Sequence, residues 1–267
     1  MNNGFGRDRE AGAYTPWAIE AVGLTKTYGS VAAAQDVSLH VRPGEIYGFL
    51  GPNGAGKTTT IKMLVGLLKP TQGYARIAGY DIQRQPLDAK ARLGYVPDQP
   101  ILYDKLRGLE FLVFMARLYR IDPVTAARRA DELLRLFDLR DAADQMVEGY
   151  SHGMRQKLAL AGALIHRPSV LFLDEPTVGL DPKSARLIKD LLLQLRESGV
   201  TVMMSTHILE IAERMCDRVG IIEHGRLIAE GTLAELRSRQ GSMASLEEIF
   251  LSLTGGADYA ELARVLG

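Results

Sequence analysis

A glycine-rich turn between an apolar run and a helical run holds the residues best suited to chemistry. The stretch GPNGAGKTT (51–59) fits G-x-x-x-x-G-K-[ST] and directly follows EIYGFLG (45–51), which has the composition of a short strand. Glycines let backbone N–H groups converge on phosphate oxygens, and a helix N-terminus adds partial positive charge. A lysine supplies charge for the β and γ phosphates, and a threonine hydroxyl is a ligand for Mg²⁺. A glycine-rich loop without a ligand is the alternative. The predicted phosphate-binding residues are Gly51, Pro52, Asn53, Gly54, Ala55, Gly56, Lys57, Thr58 and Thr59, with Thr58 also on the metal.

Two adjacent carboxylates end a second apolar run, VLFLDEP (170–176). Four apolar residues in a row are typical of a buried strand, so the acids are expected at its end. Asp174 is predicted to hold Mg²⁺ through water. Glu175 is predicted to point to the opposite face, because strand side chains alternate, and to orient a water molecule as general base. Two surface acids at a strand end are the alternative.

The segments around these motifs alternate between strand and helix patterns. Two β-like runs in 17–41 precede the phosphate motif, and the helical run after it is predicted to continue until Pro70. Residues 105–165 are mostly helical in pattern, and strands and helices alternate again as far as a predicted hairpin at 219–231. This order predicts an α/β fold: a P-loop NTPase core with an N-terminal antiparallel β part and an inserted helical subdomain at about 98–165.

Composition excludes several classes of protein. The chain has 267 residues and is 46% hydrophobic, enough for a sizeable core. Lys and Arg together number 32, as do Asp and Glu, so no net charge recruits DNA or RNA and no nucleic-acid partner is expected. Cys216 is the only cysteine, which rules out an intrachain disulfide. Apolar runs such as 158–165 are too short to span a bilayer, so a membrane role needs a partner chain.

Four further short motifs complete a pattern. They are KTYG with Tyr28, YSHGM (150–154), GLDP (179–182) and STH (205–207). With the two motifs above, and in this order, they resemble those of the nucleotide-binding subunit of an ABC transporter from about residue 17 to residue 231. The resemblance implies that Tyr28 stacks on adenine, that GLDP is the D-loop, and that His207 is the switch histidine that contacts the γ-phosphate. A core histidine bonded to backbone is the alternative for His207.

YSHGM stands where the family carries its signature, commonly LSGGQ. Ser151 and Gly153 match, whereas His152 replaces a glycine and Met154 replaces a glutamine. A serine hydroxyl, a bare glycine backbone and a helix N-terminus form a second anion-binding edge. The resemblance implies that this edge closes on ATP held by a second ATP-binding subunit, in a homodimer or a heterodimer. For His152 two interpretations remain: its backbone faces the phosphate, or it is a solvated loop residue.

A second departure from the family lies in the segment GYVPDQP, which is expected to cover the predicted site as a lid. Relatives usually place a glutamine directly after a Gly-Tyr-x-Pro stretch, where it senses Mg²⁺ and the membrane partner. Here GYVPDQP puts Asp98 in that position and Gln99 one place later. Asp98 offers an oxygen ligand for the metal, so it is the predicted third metal residue with Thr58 and Asp174. Gln99, or neither residue, is the alternative.

The resemblance implies a function and an organisation. The chain is expected to bind and hydrolyse ATP with Mg²⁺ at the cytoplasmic face of the cell membrane, driving a separate integral-membrane permease. Residues 1–15 are predicted to be a disordered tail, 16–240 the ABC ATPase domain, and 241–267 a C-terminal helical extension. Within the last, LEEIFLSLTGG (246–256) resembles the ending of export-type members, although its apolar residues also suit packing on the core.

Two other classes of protein remain as alternatives. One is a soluble ABC-type ATPase that acts on ribosomes or DNA; it is opposed by the single phosphate motif and the lack of sustained heptads. The other is a P-loop kinase for a small molecule; it is opposed by the Asp-Glu pair, GLDP and STH, because a water-orienting Glu175 serves hydrolysis.

Overall fold

A computed structural model of the chain describes residues 16–240 and 245–254. The predicted tail at 1–15 lies outside these ranges, as does most of the predicted C-terminal extension. In the described ranges the strands are β1 (Ile19–Tyr28), β2 (Val31–Val41), β3 (Ile46–Leu50), β4 (Gln72–Ile77), β5 (Tyr80–Asp81), β6 (Leu93–Val96), β7 (Val170–Asp174), β8 (Thr201–Thr206), β9 (Arg218–Glu223) and β10 (Arg226–Gly231).

The α-helices of the same ranges cover the predicted helical segments. They are α1 (Lys57–Leu64), α2 (Pro86–Lys90), α3 (Gly108–Leu118), α4 (Pro123–Leu136), α5 (His152–Leu164), α6 (Pro182–Glu197), α7 (Leu209–Met215), α8 (Leu233–Gln240) and α9 (Leu246–Leu253). None of these helices combines the length and the apolar character that crossing a bilayer requires. In α9 the side chains of Leu246 and Ile249 are buried, so its apolar residues do pack on the core.

Two sheets form the framework. The first is antiparallel, in the order β2-β1-β4-β5, and the second has the order β10-β9-β3-β8-β7-β6. In the second sheet β3 pairs in parallel with β8 and β9, and β7 pairs in parallel with β6 and β8. Parallel pairing puts the carboxyl ends of β3, β7 and β8 at one edge of the sheet. The predicted α/β fold with an N-terminal antiparallel part is confirmed.

Helices α3, α4 and α5 all lie between β6 and β7, which are neighbours in the sheet. The chain therefore leaves the sheet at β6, forms these helices, and returns to the adjacent strand. Apolar residues of the three helices, such as Phe111, Leu134 and Leu158, belong to the same buried cluster as Leu173 of β7. The packing of these helices thus continues the core on one face of the sheet.

One predicted boundary is wrong. Helix α1 ends at Leu64 rather than continuing to Pro70. The reason is Gly66, which has φ +69 and donates its N–H to the carbonyl of Met63. A glycine in the left-handed conformation is a common helix terminator, and here it acts one turn before the proline.

Candidate functional site

A cavity of about 240 Å³ lies at the N-terminus of α1, beside the carboxyl ends of β3 and β7. It brings together most of the predicted phosphate and metal residues with the predicted base. Its lining consists of Ala33, Pro52, Asn53, Gly54, Gly56, Lys57, Thr58, Thr59, Asp98, Asp174 and Glu175.

The path of the loop depends on two glycines. Gly51 is packed so closely that a Cβ there would lie 2.4 Å from the carbonyl oxygen of Ile222. Gly56 caps α1 with φ +102, and a Cβ there would lie 2.4 Å from the carbonyl oxygen of Ala33. Any side chain at either position would force the loop away from β2 or β9, so the loop can keep this course only with glycine. Gly51 and Ala55 shape the loop from behind and do not line the cavity.

Lys57 lies folded against its own loop. Its Nζ donates to the carbonyl oxygens of Gly51 at 2.7 Å and Pro52 at 3.2 Å, and it is 3.9 Å from Oε1 of Glu175. Burial lowers the pKa of Lys57, while the carboxylates of Glu175 and Asp174 oppose that shift. The ammonium group thus lines the cavity and is held by charge-assisted hydrogen bonds to two carbonyls of its own loop.

Asp174 is buried and accepts two hydrogen bonds. The hydroxyl of Thr58 donates to its Oδ2 at 2.9 Å, and the hydroxyl of Ser205 donates to its Oδ1. The parallel register of β7 and β8 pairs Asp174 directly with Ser205. Ser205 also accepts from the backbone N–H of Glu175 at 3.3 Å. Sequence reasoning missed Ser205: STH was recognised, but nothing in the sequence says that β8 lies beside β7.

Glu175 follows β7 in the left-handed conformation, with φ +50. The expectation that it points to the opposite face from Asp174 is wrong: the strand ends at Asp174, so alternation no longer applies, and both carboxylates line one cavity. Its Oε1 is 2.9 Å from Nδ1 of His207, whereas its Oε2 is buried and has no hydrogen-bond partner in the described part of the chain. Backbone strain and an unsatisfied buried oxygen both concentrate at functional positions.

Asp98 lines the cavity, and Gln99 does not. Tyr28, at the end of β1, also lies outside the lining; its ring is 53% exposed, with the Nζ of Lys26 at 5.4 Å from the ring centre. Its predicted stacking on adenine requires such an exposed ring and stays a prediction. His207 is beside Glu175 rather than at the loop of Lys57.

The predicted second anion edge lies at the N-terminus of α5, apart from the cavity. Ser151 caps this helix by accepting from the N–H of Met154 at 3.3 Å. His152 is the first helical residue, so it is not a loop residue, and its Nε2 lies 3.3 Å from the position of a Cβ on Gly179. A Cβ on Gly153 would lie 3.6 Å from Leu180. The edge therefore packs against GLDP of its own chain.

A glycine loop at a helix N-terminus, with a lysine, a threonine and a strand-end aspartate around one cavity, defines a P-loop NTPase. Residues 34–178 match the protein family described as ABC transporter. The daunorubicin/doxorubicin resistance ATP-binding protein DrrA of Streptomyces peucetius is 44% identical to this chain over 225 residues, which covers 84% of this chain and 68% of that protein.

Solved structures agree. An ATP-binding subunit of an ABC transporter is 34% identical with a TM-score of 0.84, covering 88% of this chain and 99% of the other. A dimeric ATP-binding cassette in a post-hydrolysis state, bound to ADP and phosphate, is 29% identical with a TM-score of 0.75, covering 80% and 98%. The chain belongs to the ABC transporter family. It is an ATP-binding subunit that hydrolyses ATP, and the alternatives of a ribosome- or DNA-acting ATPase and of a kinase are not favoured.

Proposed function

We propose that two ATP-binding subunits pair head to tail, so that the loop at 51–59 of one chain and the Ser151–Gly153 edge of the other enclose each ATP. The observation that carries this proposal is the position of the edge. Ser151 and Gly153 lie outside the phosphate cavity of their own chain, at an exposed helix N-terminus suited to an anion. A second chain supplies the phosphate that this edge lacks.

The residues of the cavity suit magnesium. The hydroxyl of Thr58 and the carboxylate of Asp174 are 2.9 Å apart, and Asp98, which lines the same cavity, would add a third oxygen ligand. Mg²⁺ prefers oxygen ligands and keeps several waters, so one or two carboxylates are enough. When bound, the ion neutralises charge that develops on the phosphates. Lys57 then leaves its loop carbonyls for the phosphate oxygens.

Glu175 is the proposed general base. Its free Oε2 accepts the proton of the attacking water, while His207 fixes the carboxylate through Oε1. In this arrangement His207 is hydrogen-bonded to Glu175 in the single chain, and it contacts the γ-phosphate when two chains close on ATP. ATP closes the pair only by binding better to the closed state than to the open one, and hydrolysis removes that difference.

Dilution tests the shared site. We expect the ATPase rate per chain to fall on dilution, and sedimentation to show a dimer with a non-hydrolysable ATP analogue. Ser151→Ala should weaken both, since it removes the hydroxyl of the edge. The matched control is Asp122→Ala, which removes the N-cap of α4, whose side chain accepts from the N–H of Thr125. A rate per chain indifferent to dilution, with no dimer in the analogue, would contradict the shared site.

We further propose that a groove beside β6 receives an integral-membrane permease. The groove has a volume of about 470 Å³ and runs between the end of α1, α3 and α5. It exposes large apolar side chains, among them Leu67 at 63%, Ile101 at 88% and Tyr103 at 56%. Apolar patches of this kind mark interaction sites, and a subunit of an ABC transporter works with a membrane partner. The subunit then lies on the cytoplasmic face of the membrane, peripheral through its permease.

Co-purification from membranes tests the groove. A multi-span membrane protein should co-purify with the wild-type chain and be lost with Ile101→Glu. Leu87→Glu is the matched control, because Leu87 is 83% exposed but lies outside the groove. Equal loss with both variants would contradict the groove, and co-sedimentation with ribosomes or DNA would favour the other ABC class. We also propose that the direction of transport is export, because the Streptomyces relative is named as a drug-resistance protein.

A further inference from the structure

The hydroxyl of Tyr95 is an anomaly in the interior. Tyr95 belongs to β6, and its hydroxyl oxygen is buried without a hydrogen-bond partner in residues 16–240 and 245–254. A buried hydroxyl that makes no bond destabilises the fold by the cost of its lost hydration, so folding alone gives no reason for it. Burial, with the carboxylates of Asp174 and Asp98 nearby, raises the pKa of this phenol. The group therefore stays protonated and keeps its proton available for donation.

The position of Tyr95 connects two features already described. It pairs with Phe172 of β7, two residues before Asp174. Side chains two residues apart on a strand share a face, so Tyr95 and Asp174 lie on the same face of the sheet. Strand β6 is also the edge of that sheet, and the ring of Tyr95 lines the apolar groove. Tyr95 therefore lines the groove and shares a face of the sheet with Asp174, which lines the phosphate cavity.

Of the two nearby carboxylates, Asp174 has the larger effect on the pKa of the phenol, but Asp98 has more acceptor capacity left. Both oxygens of Asp174 already accept hydrogen bonds, from Thr58 and Ser205. Asp98, by contrast, lines the cavity and accepts no bond within the described part of the chain. It follows Tyr95 by three residues, on the loop that leaves the carboxyl end of β6.

We propose that Tyr95 is a positioning residue for Asp98: its hydroxyl donates to the Asp98 carboxylate once ATP and Mg²⁺ occupy the cavity. This proposal rests on the metal role proposed above for Asp98. A donor that is unpaired in the free chain and paired in the bound one contributes its whole bond to the bound state, and so to ATP binding rather than to folding. Groups that orient a metal ligand typically change metal affinity by about 10- to 100-fold.

Tyr95→Phe tests the proposal, because it removes only the hydroxyl. The midpoint of thermal unfolding of the nucleotide-free variant should equal or exceed that of the wild type. The Mg²⁺ concentration for half-maximal binding of a fluorescent ATP analogue should rise by about 10-fold, while binding without Mg²⁺ stays unchanged. The matched control is Tyr74→Phe, which removes a hydroxyl from β4, outside both the cavity and the groove, and should leave both values unchanged.

Two further variants, the single variant Asp98→Ala and the double variant that combines Asp98→Ala with Tyr95→Phe, distinguish failure of the positioning role from failure of the metal role. Asp98→Ala should raise the Mg²⁺ requirement, and adding Tyr95→Phe should raise it no further. The positioning role is overturned, while the metal role of Asp98 stands, if Asp98→Ala raises the Mg²⁺ requirement and Tyr95→Phe does not. The same holds if the double variant raises the requirement by the product of the two single effects. If Asp98→Ala leaves the Mg²⁺ requirement at the wild-type value, the metal role falls and the positioning role falls with it. A lower unfolding midpoint for Tyr95→Phe would show that the hydroxyl serves the fold, which also overturns the proposal.

Discussion

Two clusters of charged side chains lie at opposite ends of β3. At its start, Arg218 reaches Glu45 at 3.3 Å and Glu230 at 2.8 Å, and Glu230 also accepts from the hydroxyl of Tyr47 at 3.1 Å. We call this the closed cluster. Beyond its end lie Lys57, Asp174, Glu175 and His207, which we call the open cluster. Apart from His207, whose side chain is 49% exposed, the charged residues of both clusters are buried or half-buried, so burial does not distinguish the clusters.

Pairing does distinguish the two clusters. In the closed cluster Arg218 also donates to the carbonyl of His40, and the second oxygen of Glu45 accepts from the N–H of Arg42 at 2.7 Å. These bonds join β2 of the antiparallel sheet to the parallel sheet. In the open cluster, among the residues that the structure describes, one oxygen of Glu175 has no partner and Lys57 is bonded only to its own loop and to Glu175. A satisfied cluster holds the fold together, whereas an unsatisfied one leaves bonds for a ligand.

The largest expected effect separates catalysis from stability in the open cluster. Glu175→Gln keeps the shape of the side chain but cannot accept a proton, so ATP turnover should fall by about 10²- to 10⁴-fold. ATP binding should persist, and a dimer should accumulate with ATP. The unfolding midpoint should not fall, because an unpartnered carboxylate oxygen becomes part of a neutral amide. Turnover at the wild-type rate would show that Glu175 is not the base.

The converse is expected in the closed cluster. Arg218→Met leaves Glu45 and Glu230 without their shared cation, so the free energy of unfolding should fall by about 3 kcal/mol in denaturant titrations. ATP turnover per folded chain should remain at the wild-type value. Arg128→Met is the control, since Arg128 pairs with Glu132 on an exposed helix face and should cost under about 0.5 kcal/mol. If Arg218→Met lost ATP turnover but kept the wild-type free energy of unfolding, the distinction between the two clusters would be wrong.

Ser205 borders the open cluster, and its hydroxyl is hydrogen-bonded both to Asp174 and to the backbone N–H of Glu175. Ser205→Ala removes the donor to Asp174 and an acceptor for the N–H of Glu175. We expect a loss of about 2 kcal/mol in unfolding free energy. The Mg²⁺ concentration needed for ATP binding should also rise about 10-fold, because an orienting contact is lost. Ser198→Ala, which removes an exposed hydroxyl at the end of α6, should change neither quantity.

The smallest expected effect is the difference in unfolding free energy between the variants of two tyrosines with buried hydroxyls, Tyr47 and Tyr95. Tyr47→Phe removes the donor to Glu230 and should lower the free energy of unfolding by about 1 kcal/mol. Tyr95→Phe removes a hydroxyl that has no partner and should lower it not at all. Both values come from the same denaturant titration. Equal losses for the two variants would mean that the pairing of these hydroxyls does not predict their contribution to the fold.

Local sequence patterns predict much of this architecture. The alternation of strands and helices predicted after residue 165 is confirmed, and the predicted hairpin at 219–231 appears as β9 and β10. The short strand β6 was not recognised, because its four residues, LGYV, give too short a run to define a period. The early end of α1 is not predicted, because Pro70, six residues after Leu64, gives the more obvious stop signal.

The sequence by itself determined the chemistry available to this protein, because a phosphate loop needs glycines, a lysine and a threonine within nine consecutive residues, and such spacing is readable along the chain. Only the tertiary structure decided which side chains meet. Ser205 lies beside Asp174 because β8 pairs with β7 across 31 residues of sequence. In the same way, the hydroxyl of Tyr95 and one oxygen of Glu175 remain unpaired because of how strands and helices pack around them. A hydrogen bond depends on distances within about 3 Å, and such distances between remote segments exist only after folding.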